Sequence, residues 1–363
     1  MILHIISGGE TGGSKNHLLS LLQELPKDQV ELAVLQEGRL AEEARAFGIT
    51  VHSFQQSSRY DVSAIQKLKK LIEAKHVKIV HSHGPRANLF VFFVKKMTKF
   101  YWMTTIHSDP TLDFVKGGIK GRVFTALNRS VFSSIDHFFA VSERFKQMLV
   151  TLGIPAEKIS VIYNGIDFTT PDSPNITRTE LGVEEESFVI TMVARLHPIK
   201  NYPDAFELIR KLREKGHSVE LLAVGDGPLK EDLHQQVKAY EGIHFLGFRT
   251  DVDAVLRQSD CLLLASTSES FPLVLLEAAK AKIPVLTTDV GGVRELIQSD
   301  EMGAVVPVHG IDEMVLEIER LIGRKAQGVL SEGGQALYEH ASNHYSVTQL
   351  AKATWHTYQQ HME

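Results

Sequence analysis

Short apolar runs rich in β-branched residues alternate with stretches of helical period along the whole chain, and this alternation restricts the fold more than any other feature. Strands are expected at residues 2–6, 30–35, 50–54, 78–81, 102–106, 138–141 and 159–162. A second series is expected at 188–193, 219–224, 244–245, 261–264, 285–287 and 304–306. Helical periodicity fills the intervals, for example 15–25, 64–74 and 143–152. Parallel neighbours cannot be joined by a tight turn and need a right-handed crossover, so the pattern means βαβ units and parallel sheets. The stretch 164–177, NGIDFTTPDSPNIT, interrupts it with two prolines, a glycine and no apolar face. Two doubly wound α/β domains are therefore expected. Val347, Leu350, Ala351, Trp355 and Tyr358 mark a final amphipathic helix.

Composition agrees with that division. A chain of 363 residues exceeds one small core, and 23% charged with 43% hydrophobic residues describes a soluble globular protein. The lone Cys261 cannot form an internal disulfide, so a reducing compartment is expected. MILHIISGGE lacks the charged and long apolar regions of a signal peptide, and the apolar stretch 88–94 is too short to span a bilayer. A cytoplasmic location follows, with peripheral attachment to the inner face of a membrane as an option. The net charge of −5 is a cancellation. Residues 1–168 carry 21 Lys+Arg against 15 Asp+Glu, net +6; residues 169–363 carry 18 against 29, net −11. The basic half suits an anionic substrate or lipid surface as well as it suits plain solvated lysines.

Several loops at strand ends carry chemistry. Ser7-Gly-Gly-Glu-Thr-Gly-Gly-Ser14 joins strand to helix, where backbone amides can approach a phosphate or sugar; its spacing is neither GxGxxG nor a Walker A loop. His81-Ser-His83 could ligate a metal, but no HExxH, CxxC or carboxylate stands at a telling spacing. The plainer expectation is one capping and one exposed histidine, with no metal. His107 ends the next strand and could hydrogen-bond a sugar hydroxyl or polarise a leaving group. In Ala194-Arg195-Leu-His-Pro-Ile-Lys200 two cations follow a strand and could bracket a diphosphate. Gly225-Asp-Gly-Pro228 reads as a turn with Pro just inside a helix.

The sharpest stretch is Ser266-Thr-Ser-Glu269-Ser-Phe-Pro-Leu-Val-Leu-Leu-Glu277. Pro272 is expected at the first helical position, with Glu269 at the loop tip and Glu277 about one and a half turns into the helix. Amides at Phe271 and Leu273 could hold phosphate, and Glu269 could accept from sugar hydroxyls. Glu277, flanked by Leu276 and Ala278, needs a partner if buried; ribose hydroxyls would supply one.

With Val141-Ser-Glu143, Asn164-Gly-Ile-Asp167 and Thr288-Asp-Val-Gly-Gly292, these segments resemble in order and spacing the retaining glycosyltransferases of family 4. That family has the GT-B fold, two Rossmann-like domains facing a central cleft, and the resemblance covers nearly the whole length. It implies an acceptor-binding domain at 1–165, a linker at 166–177 and a nucleotide-sugar domain at 178–343. A helix at 344–363 would return to the first domain. By the same resemblance Arg195 and Lys200 bind the donor diphosphate, Glu269 the transferred sugar and Glu277 the ribose. Ser270, Phe271, Leu273 and Val274 line sugar and phosphate through backbone groups. His107 reaches the sugar from the opposite domain, Gly12 and Gly13 crowd phosphate and acceptor, and Gly247 and Phe248 lie at the base. Two positions depart from the family: Ser270, and Ile283 preceded by Lys282, stand where glycine is usual.

The implied reaction is front-face transfer with retention, independent of metal and of any cofactor, from a nucleotide sugar. A UDP-sugar is favoured over GDP-mannose, and no nucleic-acid partner is expected. The alternatives are a nucleotide-sugar epimerase or phosphorylase, and a non-catalytic sugar-nucleotide-binding relative. Glycosidase chemistry would use the two glutamates as acid and nucleophile, whereas here one would touch sugar and the other ribose. The acceptor would be a glycan or a lipid-linked molecule. Lys95, Lys96 and Lys99 follow an apolar run, and Lys116, Lys120 and Arg122 come next, a pattern that suits an anionic membrane. The competing expectation makes 89–94 a core-facing helix.

Overall fold

In the computed structural model the chain forms two compact units, Met1–Asp167 together with Val347–Glu363, and Phe168–Ser346. The structure describes all residues except 11, 57–60, 110–129, 170–172, 239 and 363.

The first unit holds a seven-stranded sheet: β1 (Ile2–Ile6), β2 (Val30–Val34), β3 (Val51–Ser53), β4 (Ile79–His83), β5 (Tyr101–Ile106), β6 (His137–Ala140) and β7 (Ile159–Val161). All its pairings are parallel, in the order β3-β2-β1-β4-β5-β6-β7. β1 and β2 are buried at every position because helices cover both faces, which is why they read as mostly apolar runs. His4 in β1 and Glu31 in β2 are their polar residues, and both are buried. β4 runs to His83, two residues past its expected end, and both histidines are buried rather than one capping and one exposed. The physical reason is pairing: His83 sits in register with Ile6 of β1 and Thr105 of β5.

The C-terminal helix Val347–Met362 belongs to this unit. It lays Leu350, Ala351 and Tyr358 into the core that also takes Leu18 and Leu22 from the helix Gly13–Glu24. A leucine such as Leu350 contributes about 1.5–3 kcal/mol on full burial, and Ala351 and Tyr358 add to it in holding the helix there.

The second unit has six parallel strands: β8 (Phe188–Val193), β9 (Val219–Val224), β10 (Ile243–Gly247), β11 (Cys261–Leu264), β12 (Val285–Thr288) and β13 (Gly303–Val306). Their order is β10-β9-β8-β11-β12-β13. The core centres on Ile190, Leu221, Leu263 and Leu286 against Phe206, Leu212 and Ile318. Cys261 is fully buried and burial pushes its thiol pKa up, so it is a packing residue with little thiolate. In both sheets the connection direction reverses once, between β1 and β4 and between β8 and β11. Ligands of such sheets bind beyond the strands' carboxyl ends at those reversals.

Candidate active site

In the second unit the loops after β8 and β11 flank the reversal and meet. Thr267 donates its N–H to the Ile199 carbonyl at 2.9 Å, and the Lys200 ammonium donates to Glu269 Oε1 at 2.5 Å. Ser266 Oγ donates to the same carboxylate oxygen at 2.6 Å. Thr288 Oγ1 in turn donates to the Ser266 carbonyl at 2.5 Å, so β12 steadies the loop that carries Glu269. Lys200 and Glu269 are thus brought together, while Arg195 is exposed and has no hydrogen bond or ion pair among the described residues.

Pro272 is not helical: its backbone is extended and it caps the helix Leu273–Lys280. Glu277 is therefore the fifth helical residue, just over one turn in rather than one and a half. The amides of Leu273 and Val274 open the helix and have no acceptor among the described residues, as the first turn of a helix requires. Phe271 lies buried with its ring 5.1 Å from that of Tyr345. The Glu277 carboxyl is half-buried and has no hydrogen bond or ion pair among the described residues. Burial raises its pKa above the ordinary carboxylate range, and the charge of Asp253 adds to the rise. A carboxyl held in that state is an acceptor waiting for donors.

Close backbone approaches explain the glycine motifs. Gly225, at φ +139°, would drive a Cβ to 2.1 Å from the Ala194 carbonyl, and one on Gly227 would lie 2.4 Å from that of Leu196. The 225–228 turn is thus a support for the Arg195 loop, tied by Leu196 N–H to the Asp226 carbonyl at 3.0 Å. The following helix starts at Lys230, so Pro228 lies outside it, not just inside. Gly291, at φ +53°, would bring a Cβ to 2.3 Å from the Ser270 carbonyl and 2.7 Å from that of Glu269. Gly291→Ala is expected to shift the glutamate loop and cost about 10²-fold in turnover, the effect of roughly 1 Å of misplacement. Gly323→Ala, whose Cβ meets nothing within 4 Å, should leave activity unchanged. Rates of nucleotide release for the two variants check this.

Of the two positions where the family has glycine, neither Ser270 nor Ile283 needs a left-handed backbone; it is Lys282, just before Ile283, that sits at φ +59°, the conformation that glycine adopts without strain. At the end of β10, Gly247 has φ +66° and accepts from the Gly225 amide at 2.8 Å; Phe248 beyond it is 70% exposed, a large apolar face open to a ligand.

In the first unit Gly12 caps the helix Gly13–Glu24 at φ +78°, and a Cβ on either Gly12 or Gly13 would meet nothing within 4 Å. Gly12 answers to its backbone conformation, while the space beside Gly13 is open. His17, from the same helix, stands with its ring 4.9 Å from His107, and His83 Nδ1 lies 3.2 Å from His107 Nε2. Burial pushes the pKa of His107 well below the imidazole range and that of His17 down to about 4. The sequence reading singled out His107 but not His17 or His4; a histidine inside the apolar run ILHII was the available signal for His4.

The helix Pro85–Lys95 faces the core with Phe90, Val91 and Val94, as the competing expectation had it. Lys95 is spent on an ion pair with Asp136 and is not free for a lipid surface. Lys96 and Lys99 are exposed, beside Phe93 and Met97. Lys116, Lys120 and Arg122 lie outside the described residues. No helix among the described residues is long and apolar enough to cross a membrane.

Comparison with known proteins agrees with this architecture. HepE from Anabaena, crystallised with UDP and glucose, matches over 99% of both chains with a TM-score of 0.85 at 19% identity, which identifies the fold as GT-B. A family model described as glycosyl transferases group 1 matches residues 175–331, and one described as Glycosyltransferase Family 4 matches residues 11–170. The chain belongs to glycosyltransferase family 4. It is 25% identical over 328 residues to an Escherichia coli UDP-Gal:alpha-D-GlcNAc-diphosphoundecaprenol alpha-1,3-galactosyltransferase, covering 85% of this chain and 84% of that one. It is 27% identical over 309 residues to N-acetyl-alpha-D-glucosaminyl L-malate synthase of Bacillus anthracis, covering 77% of each.

Proposed function

We propose that this glycosyltransferase moves a sugar from a UDP-sugar to an acceptor hydroxyl with retention of anomeric configuration, in the synthesis of a glycan or glycolipid. The observation that carries the reading is the half-buried Glu277 carboxyl, without a partner among the described residues, on a helix whose opening amides, Leu273 and Val274, have no acceptor there either. Ribose hydroxyls satisfy the carboxyl, and phosphate satisfies the amides. Phe248 and Gly247 lie against the base. The relatives' own names support a UDP-sugar donor and a lipid-diphosphate acceptor. Peripheral contact with an anionic membrane is part of this proposal and would use Lys96 and Lys99.

In the reaction the bond from the anomeric carbon to the diphosphate oxygen breaks as the acceptor oxygen bonds to that carbon on the same face. The acceptor's proton passes to the departing diphosphate oxygen, so no protein nucleophile is needed. Arg195 and Lys200 stabilise the charge that develops on the leaving group, while Glu269 holds sugar hydroxyls. No metal is required, so activity should survive EDTA.

A thermal-shift series with UDP, GDP and their sugars tests the donor. Saturating UDP-sugar at 100 times its Kd should add about 2.7 kcal/mol of stability, and Glu277→Gln should reduce that gain. No shift with any nucleotide sinks the reading. Conversion of donor to an epimer in the absence of acceptor would favour an epimerase instead.

A further inference from the structure

Six side chains of the first unit form one unbranched hydrogen-bonded chain. Thr105 Oγ1 lies 2.8 Å from His81 Nε2, and His81 Nδ1 lies 2.5 Å from the Tyr358 hydroxyl. That hydroxyl is 3.0 Å from His4 Nε2, His4 Nδ1 is 3.0 Å from His83 Nε2, and His83 Nδ1 is 3.2 Å from His107 Nε2. The strand pleat creates the row: His4, His81, His83 and Thr105 share one face of the sheet through the registers of β1, β4 and β5. Tyr358 drops into it from the helix Val347–Met362. His107 Nδ1 is the one ring nitrogen of the chain without a partner among the described residues.

We propose that this buried chain fixes the tautomer of His107, with Tyr358, His4 and His83 as positioning residues, so that the proton resides on Nδ1 and His107 acts outward as a hydrogen-bond donor.

The argument is proton counting. Burial holds His4 at a pKa of about 3 and pushes His81, His83 and His107 well below the imidazole range, so all four rings are neutral at pH 7. A neutral ring has one donor and one acceptor nitrogen, and a hydroxyl has one proton, so the direction of any link sets all the others. Starting from Thr105, the hydroxyl donates to His81, His81 to Tyr358, Tyr358 to His4, His4 to His83 and His83 to His107 Nε2. Every other proton then has an acceptor within the chain, and His107 is left with its proton on Nδ1, at the half-buried end where it can meet an outside acceptor. Reversed, His81 donates to Thr105, and the hydroxyl proton of this buried threonine has no acceptor among the described residues. Buried donors of that kind are strongly disfavoured. Because the chain ends on a threonine, which neither takes nor releases a proton near neutrality, it orients His107 without conducting protons past it.

A metal is the rival use of these rings, since ligand atoms of His4, His81 and His83 lie within 4.8 Å of one another. Atoms sharing one zinc would sit about 3.3 Å apart. All six nitrogens of the three rings already have hydrogen-bond partners, which a metal would have to break.

The bearing of this chain on catalysis rests on His107 as a sugar contact, but the tautomer is tested without substrate. In protein labelled with 15N-histidine, two-bond 1H–15N spectra show which ring nitrogen carries the proton, and loss of a signal in His107→Gln assigns it. The expected result is Nδ1–H for His107. Thr105→Val, at the far end of the chain, should convert His107 to a mixture of both tautomers, and Thr105→Ser should restore the single form. Tyr358→Phe should produce the same mixture in a protein that still melts cooperatively. An Nε2–H His107 in the unaltered protein overturns the proposal, as does a Thr105→Val spectrum with His107 unchanged. Stoichiometric zinc by elemental analysis also overturns it. Failure of the donor-binding series would leave the tautomer result standing.

Discussion

Lys200→Ala is expected to lower turnover by at least about 10²-fold, the usual loss when one preorganised stabiliser of a developing charge is removed. Two effects add in the same direction. On the proposed mechanism the variant takes a positive charge away from the departing diphosphate, and it leaves the Glu269 carboxylate with Ser266 as its remaining hydrogen-bond partner among the described residues. That carboxylate is only 13% exposed, so it would draw in water, and the hold on the sugar proposed for it would loosen. Lys200→Arg should recover little, because a planar fork cannot take the place of an ammonium seated 2.5 Å from one oxygen. Arg195→Ala is the informative companion. Arg195 is exposed and has no partner among the described residues, so its loss should leave the melting temperature unchanged while turnover falls. Steady-state nucleotide release in the three variants, with melting curves beside it, checks this. Undiminished release from folded Lys200→Ala would sink the role given to that residue.

Strand positions were legible in the sequence because parallel strands covered on both faces are continuous apolar runs, and β1, β8, β9 and β11 begin and end where that signal does. The signal failed where a buried strand carried polar residues. β4 continues through Ser82 and His83, whose side chains are satisfied by other strands, and no local pattern reveals a partner that lies elsewhere in the chain. Motif spacing located the loops bearing Arg195, Lys200, Glu269 and Glu277. It could not show that Lys200 and Glu269 pair, or that Gly225, Gly227 and Gly291 are there to let one loop pass close to another. Those are contacts across a sheet, set by strand order. Lys95 illustrates the converse: a basic residue in a basic run looks available until its partner, 41 positions away, is seen.

Acidification supplies the second large effect, and its sign follows from the histidines of the first unit. His4 and His17 are held by burial at about 3 and about 4, and burial drives His81, His83 and His107 well below the ordinary range. In the unfolded chain each titrates near 6.5. Below that pH the unfolded state binds protons that the folded state refuses, so stability falls as pH falls, and it does so from about 6.5 down toward the folded values. Each group costs up to about 1.4 kcal/mol per pH unit in that window. At pH 5 His4 and His17 alone account for roughly 4 kcal/mol, and His81, His83 and His107 act in the same direction, against a whole stability of about 5–15 kcal/mol for an ordinary domain. The carboxylates that ion pairs hold low, such as Glu31 and Glu43, lose their contribution only below about pH 4.5, so the two windows separate. Calorimetry between pH 7 and pH 5 should therefore show the first unit losing stability before its ion-paired carboxylates are titrated. A melting temperature that holds steady across that range would mean these rings are not the buried, neutral groups that the hydrogen-bonded chain requires.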